Sequence, residues 1–264
     1  MRGWWRDLTD LVLPAECGGC GRPRAVLCPE CRAALTGAAP CRVRPVPEPP
    51  GLPAVHAAAP YEDAVRAVLL AHKERGALAL VGPLGTALAG AVRAGGGDGP
   101  VLLVPVPSAR RAVRSRGHDP ARRIALTAAG ELRRTGTPAR VLGVLRQRRA
   151  VADQSGLDSR QRLDNLAGAL EVAAGGTRLL GGGQVVLVDD LMTTGASLTE
   201  AARAVRTARA GWATAAGEPD VGRTTKKAVR TQAVTRMAGA DGAEDVIRAA
   251  VVAAPPDSFQ INRN

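Results

Sequence analysis

Aromatic residues are almost missing from this chain: three tryptophans, one tyrosine and one phenylalanine make up 2% of its 264 residues. A core without rings must be packed from small aliphatics, and binding of nucleic acid by stacking bases on aromatic platforms is weakly provided for. Runs of about 18 uncharged apolar residues are missing too, so no membrane span is expected. The first residues, Met1-Arg2-Gly3-Trp4-Trp5-Arg6-Asp7, lack an apolar stretch followed by small residues. A secretory leader is therefore not expected, and the expected compartment is the cytoplasm. Trp4, Trp5, Leu8, Leu11 and Val12 recur at helical spacing, which favours core packing over membrane contact. Acidic residues are in deficit: 24 Asp and Glu face 36 Lys and Arg, for a net charge of +12. The imbalance is concentrated between Arg110 and Leu163, where fourteen arginines stand against Asp119, Glu131, Asp153 and Asp158. Such a segment suits polyanions (pyrophosphate, nucleotides, nucleic acid), or it solubilises exposed helix faces.

What is present is a 45% hydrophobic fraction over a length that supports one well-cored α/β domain with an accessory module. The stretch Val185 to Ser197 organises the rest. Val185 to Val188 reads as a strand buried on both faces, as in a parallel sheet. Asp189 and Asp190 follow at its end. Thr193, Thr194, Gly195, Ala196 and Ser197 form a small hydroxyl-rich loop, and Leu198, Ala201, Ala202 and Val205 then mark a helix. Amides at a helix N-terminus hold a phosphate monoester, and glycine lets the chain approach closely. The two carboxylates would repel phosphate, so they suit hydroxyls or a metal, and a ribose diol meets that need. The competing reading is an ordinary helix N-cap after a buried strand.

Cys17, Cys20, Cys28 and Cys31 form two Cys-x-x-Cys knuckles seven residues apart. That spacing matches a tetrahedral, structural Zn²⁺ site with four thiolates, and an intracellular chain disfavours the alternative of disulfides. Cys41 is left over as a free or partly buried thiol. Prolines 45, 47, 49, 50 and 53 read as an extended linker. The expected domains are therefore 1–50, a zinc-binding module with its linker, and 51–264, the main domain. Helices are expected over 61–75, ended by Gly76, and over 84–93. His72-Lys73, near the end of the first, could meet a phosphate, but a lone histidine is more often a surface or core residue, so it is not taken as a site residue. Val101 to Val106 reads as a second buried strand. A basic loop with Arg114, Arg116 and Gly117 follows, and Asp119-Pro120 caps a helix through Arg134. Strand, basic loop and helix again suit an anion at a strand's carboxyl end. Residues 141–175 read as a hairpin with strands 141–145 and 170–173. Arg146, Arg148 and Arg149 would lie on a cationic flap, or on a basic loop without that role. Gly175 to Gly183 leads into the central strand, residues 210–243 read as a disordered insertion, and 247–254 as a last strand.

Val185 to Ser197 resembles the 5-phosphoribosyl 1-pyrophosphate (PRPP) motif of type I phosphoribosyltransferases: apolar strand, two acids, two residues, then Thr-Thr-Gly-x-Ser. The order of Val-Pro-Val-Pro, Arg-x-Arg-Gly, Gln154-Ser-Gly-Leu157, Arg160, Arg162 and Asn165-Leu166-x-Gly168, preceded by the cysteine pairs, resembles the ComF family over residues 1 to about 205. That family is phosphoribosyltransferase-like and associated with competence and DNA uptake. His118 and Asp119 stand where it more often shows Phe and Asn, and the segment after Arg206 is longer. The resemblance implies the Rossmann-like parallel sheet of those transferases, with a flexible hairpin and a small zinc module. It implies PRPP with Mg²⁺ as ligand, the 5-phosphate on 193–197, the diol on Asp189 and Asp190, and the pyrophosphate at Arg114, Arg116 and Gly117. The implied reaction is phosphoribosyl (glycosyl) transfer to a nitrogenous base. Two other classes stay open: a competence factor that handles single-stranded DNA alongside proteins of the uptake machinery, and a PRPP or nucleotide sensor without turnover.

Overall fold

The computed structural model describes residues 16–109, 113–114, 117–149, 151, 158–216 and 247–262. Its centre is a six-stranded sheet built from β1 (Cys41–Val43), β2 (Ala54–Pro60), β3 (Val101–Pro105), β4 (Ala139–Val141), β7 (Gln184–Leu191) and β8 (Arg248–Ala254). The order is β1-β2-β8-β7-β3-β4. All neighbours are parallel except the edge pair β1–β2, so the sheet is mixed but mostly parallel.

The aliphatic runs of the central strands are buried on both faces because each face carries helices. Leu103, Val186, Val188, Ala250 and Val252 point into one core. There they meet α3 (Val81–Ala94) and α4 (Pro120–Arg134), with α1 (Pro29–Thr36) and α2 (Asp63–Glu74) packed beside them. Leu102, Val104, Val185, Leu187, Ala249 and Val251 point into the other, under α7 (Ala196–Ala216). The poverty in aromatics is visible in the packing: the largest fully buried side chains among the described residues are leucines, one isoleucine and one methionine. Alanine-rich helix faces let α3 and α4 come very close. A Cβ at Gly85 would lie 2.5 Å from Thr127.

Helix ends follow their capping residues. The Asp119 side chain accepts the Arg122 N–H at 3.2 Å to open α4. Gly76, at φ +67°, lies just beyond the end of α2. β3 ends at Pro105, one residue earlier than the apolar run suggests, where Pro105 and Pro107 withhold N–H donors.

Several expectations are corrected. Val141 belongs to β4 in the main sheet, and the hairpin pairs β5 (Leu145–Gln147) with β6 (Leu170–Val172). Helix α5 (Ser159–Leu166), opened by a capping box from Asp158 and Gln161, stands within the stretch read as polar connection. Another short helix, α6 (Gly176–Leu180), occupies the glycine-rich passage. α7 continues to Ala216, so 210–216 is helix rather than insertion. The rest of that insertion, 217–243, lies outside the described residues, as does nearly all of the amphipathic lead-in.

The cysteine-bearing segment shares the main core. Cys17, Cys28, Cys31 and Leu35 cluster with Leu80, Leu84 and Leu88, and Cys41–Val43, at the start of the proline-rich stretch, is the sheet's edge strand. The hairpin is fastened to α7 by a buried carboxylate. Glu200 accepts the Leu170 N–H at 2.8 Å and pairs with Arg203 at 2.7 Å, and Arg203 donates in turn to the Leu170 carbonyl. Burial opposes ionisation of Glu200, but the Arg203 and Leu170 donors outweigh it and hold its carboxyl below the usual range.

Candidate functional site

The direction of the crossovers sets the position of a crevice. From β3 the chain passes over one face through α4 to β4, and from neighbouring β7 it passes over the other face through α7 to β8. Strand order reverses between β3 and β7, so their carboxyl ends open onto a switch point, where α/β sheets take ligands. Pro105 pairs in register with Val188, and Val106 N donates to Val188 O at 2.9 Å. The loop after β3 therefore begins beside Asp189.

Asp189 and Asp190 lie side by side near the end of β7, close enough for each carboxyl to act on the other. Asp190, on the side of Val186 and Val188, is 7% exposed at its side chain. Both its oxygens meet the Lys73 ammonium of α2, at 2.9 and 3.2 Å. Asp189 is half-buried, and its Oδ1 accepts the Asp190 N–H at 2.8 Å. Desolvation, then the Asp190 carboxylate beside it, push the Asp189 carboxyl well above the usual range, while Lys73 acts in the opposite sense.

Beyond Leu191 the chain turns at Gly195, which has φ +77°. A Cβ there would lie 3.0 Å from Leu52 and 3.4 Å from Pro49, so glycine is required by both conformation and space. The 193–197 turn enters α7, and Thr199 N donates to Gly195 O at 2.9 Å. Among the described residues, no side chain or carbonyl accepts the amides of Thr193, Thr194, Gly195, Ala196 or Ser197. Thr193 is exposed and Ser197 half-buried. These N–H groups sit at the positive end of a long helix, where an anion is favoured.

The loop after β3 brings Arg114 and Gly117, both exposed, to the same edge, and Gly117 turns at φ +72°. Arg116 lies outside the described residues. A cavity of about 350 Å³ separates this loop (Ser108, Arg114, Asp119) from β5 (Leu145, Arg146, Gln147), so the structure does bring Arg114 and Arg146 together. Arg146 is nonetheless paired across the hairpin with Glu171 at 2.9 Å. Arg149 donates to the carbonyls of Asn165 and Ala167 and closes the C-terminal end of α5. Arg148 is exposed. Of the three flap arginines, two thus have work inside the hairpin.

His72 is fully buried, its ring 5.7 Å from that of buried His118 and its Nδ1 3.4 Å from the Ala77 carbonyl. Burial lowers its pKa, and His118 adds to the effect. The His72-Lys73 pair thus meets His118, in the loop after β3, and Asp190, near the end of β7. Lys73 was visible in sequence only as a cation near a helix end; nothing in the pattern links it to an aspartate 117 residues away.

The thiol cluster is a separate centre. The four Sγ atoms of Cys17, Cys20, Cys28 and Cys31 lie within 4.8 Å of one another, and Cys20 Sγ is 3.6 Å from Cys28 Sγ. Four thiolates around Zn²⁺ at about 2.3 Å sit about 3.8 Å apart, so these residues could hold a metal such as zinc. Burial opposes ionisation of Cys17, yet N–H groups of Cys20, Cys28 and Gly19 bring its thiol down to about 6. A Cβ at Gly19 would lie 2.6 Å from Cys31 Sγ, and one at Gly18 2.6 Å from Leu80. Both glycines are needed for close approach. Cys41 stands apart as a free, half-buried thiol.

No protein-family model and no curated protein matches the chain. No helix among the described residues is long and apolar enough to cross a membrane. Chemically, among the described residues, the crevice offers unbonded amides at a helix start, one carboxylate outside the Lys73 ion pair, one paired with that lysine, and arginine on the facing loop. That set suits a ligand with hydroxyls in the middle and phosphate at both ends.

Proposed function

We propose that the chain binds PRPP with Mg²⁺ at the switch point and transfers its phosphoribosyl group to a nitrogenous base. The observation that carries this reading is the 193–197 turn: a helix N-terminus whose amides meet no acceptor among the described residues, just after a strand that carries Asp189 and Asp190 next to its final Leu191. The 5-phosphate would rest on those amides, the diol on Asp189 and Asp190, and the pyrophosphate near Arg114 and Gly117. The donor set fits Mg²⁺ in a limited way. Asp189 has an oxygen to give, while Asp190 already meets Lys73 with both, so the ion would be shared with diphosphate oxygens and water rather than caged by protein. When bound it would neutralise charge growing on the departing pyrophosphate. In the reaction the bond from the anomeric carbon to the pyrophosphate oxygen breaks, a carbon–nitrogen bond to the base forms at that carbon, pyrophosphate leaves, and the base gives up a proton to the leaving pyrophosphate or to water. The protein's share is positioning and exclusion of water.

Calorimetric titration of PRPP with and without Mg²⁺ tests this reading. Saturable binding with a Kd in the range of about 1–100 μM is expected, weaker without the metal. Absence of heat at millimolar PRPP refutes it. Release of pyrophosphate with one base of a panel separates a transferase from a protein that binds without turnover. DNA affinity that falls steeply with salt and survives loss of Asp189 and Asp190 would instead support the DNA-handling reading.

A further inference from the structure

We propose that Lys73 is a positioning residue of the crevice: its ammonium fixes the Asp190 carboxylate and offsets part of the negative charge of the aspartate pair, so that a phosphorylated ligand can settle beside it. The inference rests on the PRPP reading for its ligand, and on geometry alone for the fixing of Asp190. Nζ lies within 3.2 Å of both Asp190 oxygens, and the carboxylate is nearly closed to solvent while the lysine stem is about a third exposed. Lys73 lies in the last turn of α2, where the helix dipole favours a cation. Its neighbour His72 is sealed against His118, one residue after Gly117. One dipeptide therefore spans from the basic loop after β3 to the aspartates of β7. Among the described residues, the charged groups that act on this cluster include Asp189 on β7 itself and Arg123 on α4. On β8 the residues in register with Asp189 and Leu191 are Val251 and Ala253, which bring no charge.

A plain structural ion pair and a positioning one differ in what they move. The first changes stability alone. The second also changes the order of Asp190 and the affinity for anions, and is rescued by arginine. The test uses the full, metal-loaded chain as wild type, Lys73→Met, Lys73→Gln and Lys73→Arg. Side-chain ¹³C relaxation of Asp190, without ligand, is expected to report a rigid carboxylate in wild type and Lys73→Arg, and a mobile one in the other two. Calorimetry with PRPP and Mg²⁺ is expected to give about tenfold weaker binding for Lys73→Met and Lys73→Gln, a loss equivalent to one charged contact, and a change under about threefold for Lys73→Arg. An Asp190 carboxylate as rigid in folded Lys73→Met as in wild type overturns the proposal. So does unchanged affinity in both neutral variants. Failure of the wild type to bind PRPP overturns the reading of the ligand instead, and the relaxation data then decide the role of Lys73 by themselves.

Discussion

Stripping metal from the thiol cluster, or replacing Cys31 by serine, is expected to lower the thermal midpoint of the whole domain by about 10 °C or more. A structural thiolate site contributes its binding free energy directly to folding, and a domain of this size shifts by about 2–4 °C per kcal/mol. The effect should not stay local. Cys31 and Leu35 lie on one face of α1, inside the core that holds Leu84 and Leu88, and Gly18 leaves no room for a Cβ beside Leu80. Without a cation, the sulfurs of buried Cys17, Cys28 and Cys31 and exposed Cys20 would stay within 4.8 Å of one another with nothing to offset a thiolate on Cys17, whose ionisation its N–H donors favour. That arrangement can relax only by disturbing the packing of α1. The check is a melting curve before and after chelation, with zinc quantified per chain. About one zinc per chain and a cooperative downward shift are expected; complete removal of metal with an unchanged midpoint contradicts this.

Replacing Asp189 by asparagine is expected to act in two directions at once, raising stability at pH 7 and abolishing PRPP binding. Desolvation and Asp190 raise the folded carboxyl above its unfolded value. A carboxyl raised in this way contributes stability that is fully present below the unfolded pKa and is lost as pH rises through the folded one. At neutral pH the wild type has therefore lost what the neutral amide keeps, and the variant's advantage should vanish on acidification below the usual carboxylate range. The amide oxygen can still accept the Asp190 N–H, so the turn should survive. A residue that costs stability where it stands, at the mouth of a switch-point crevice, is what a ligand-binding carboxylate looks like. Melting curves of Asp189→Asn and wild type across pH 4–8, with PRPP calorimetry on both, measure the two effects. Equal or lower stability at pH 7 would count against the electrostatic account, and undiminished PRPP binding would count against the assignment of the diol.

The parts of this architecture legible in sequence were those governed by local rules. Val185–Val188 and Val101–Val106 announced buried parallel strands, the second one residue too long, because helices on both faces leave no polar positions to alternate with. Asp119-Pro120 announced a helix start, Gly76 an end, and the cysteine spacing a cluster of four thiols. β2 was not legible: Ala54-Val-His-Ala-Ala-Ala-Pro is too poor in branched residues to read as a strand, and it is one because β1 and β8 flank it. The partners of the basic run were not legible for a similar reason. Arg146 and Arg149 look like free cations in a basic run, and only the fold supplies Glu171 across the hairpin and the open carbonyls of α5. Lys73 and Asp190, or Glu200 and Leu170, meet through tertiary packing that no spacing encodes.

The central claim is that the turn after β7 is a phosphate cradle. Its most direct test is to follow the backbone ¹⁵N–¹H resonances of Thr193 to Ser197 while ribose 5-phosphate, and then PRPP with Mg²⁺, are added to the metal-loaded protein. Large saturable shifts confined to these amides with the first ligand, spreading to Asp189, Arg114 and Gly117 with the second, are the predicted result. Unmoved resonances at 193–197 under either ligand would contradict it.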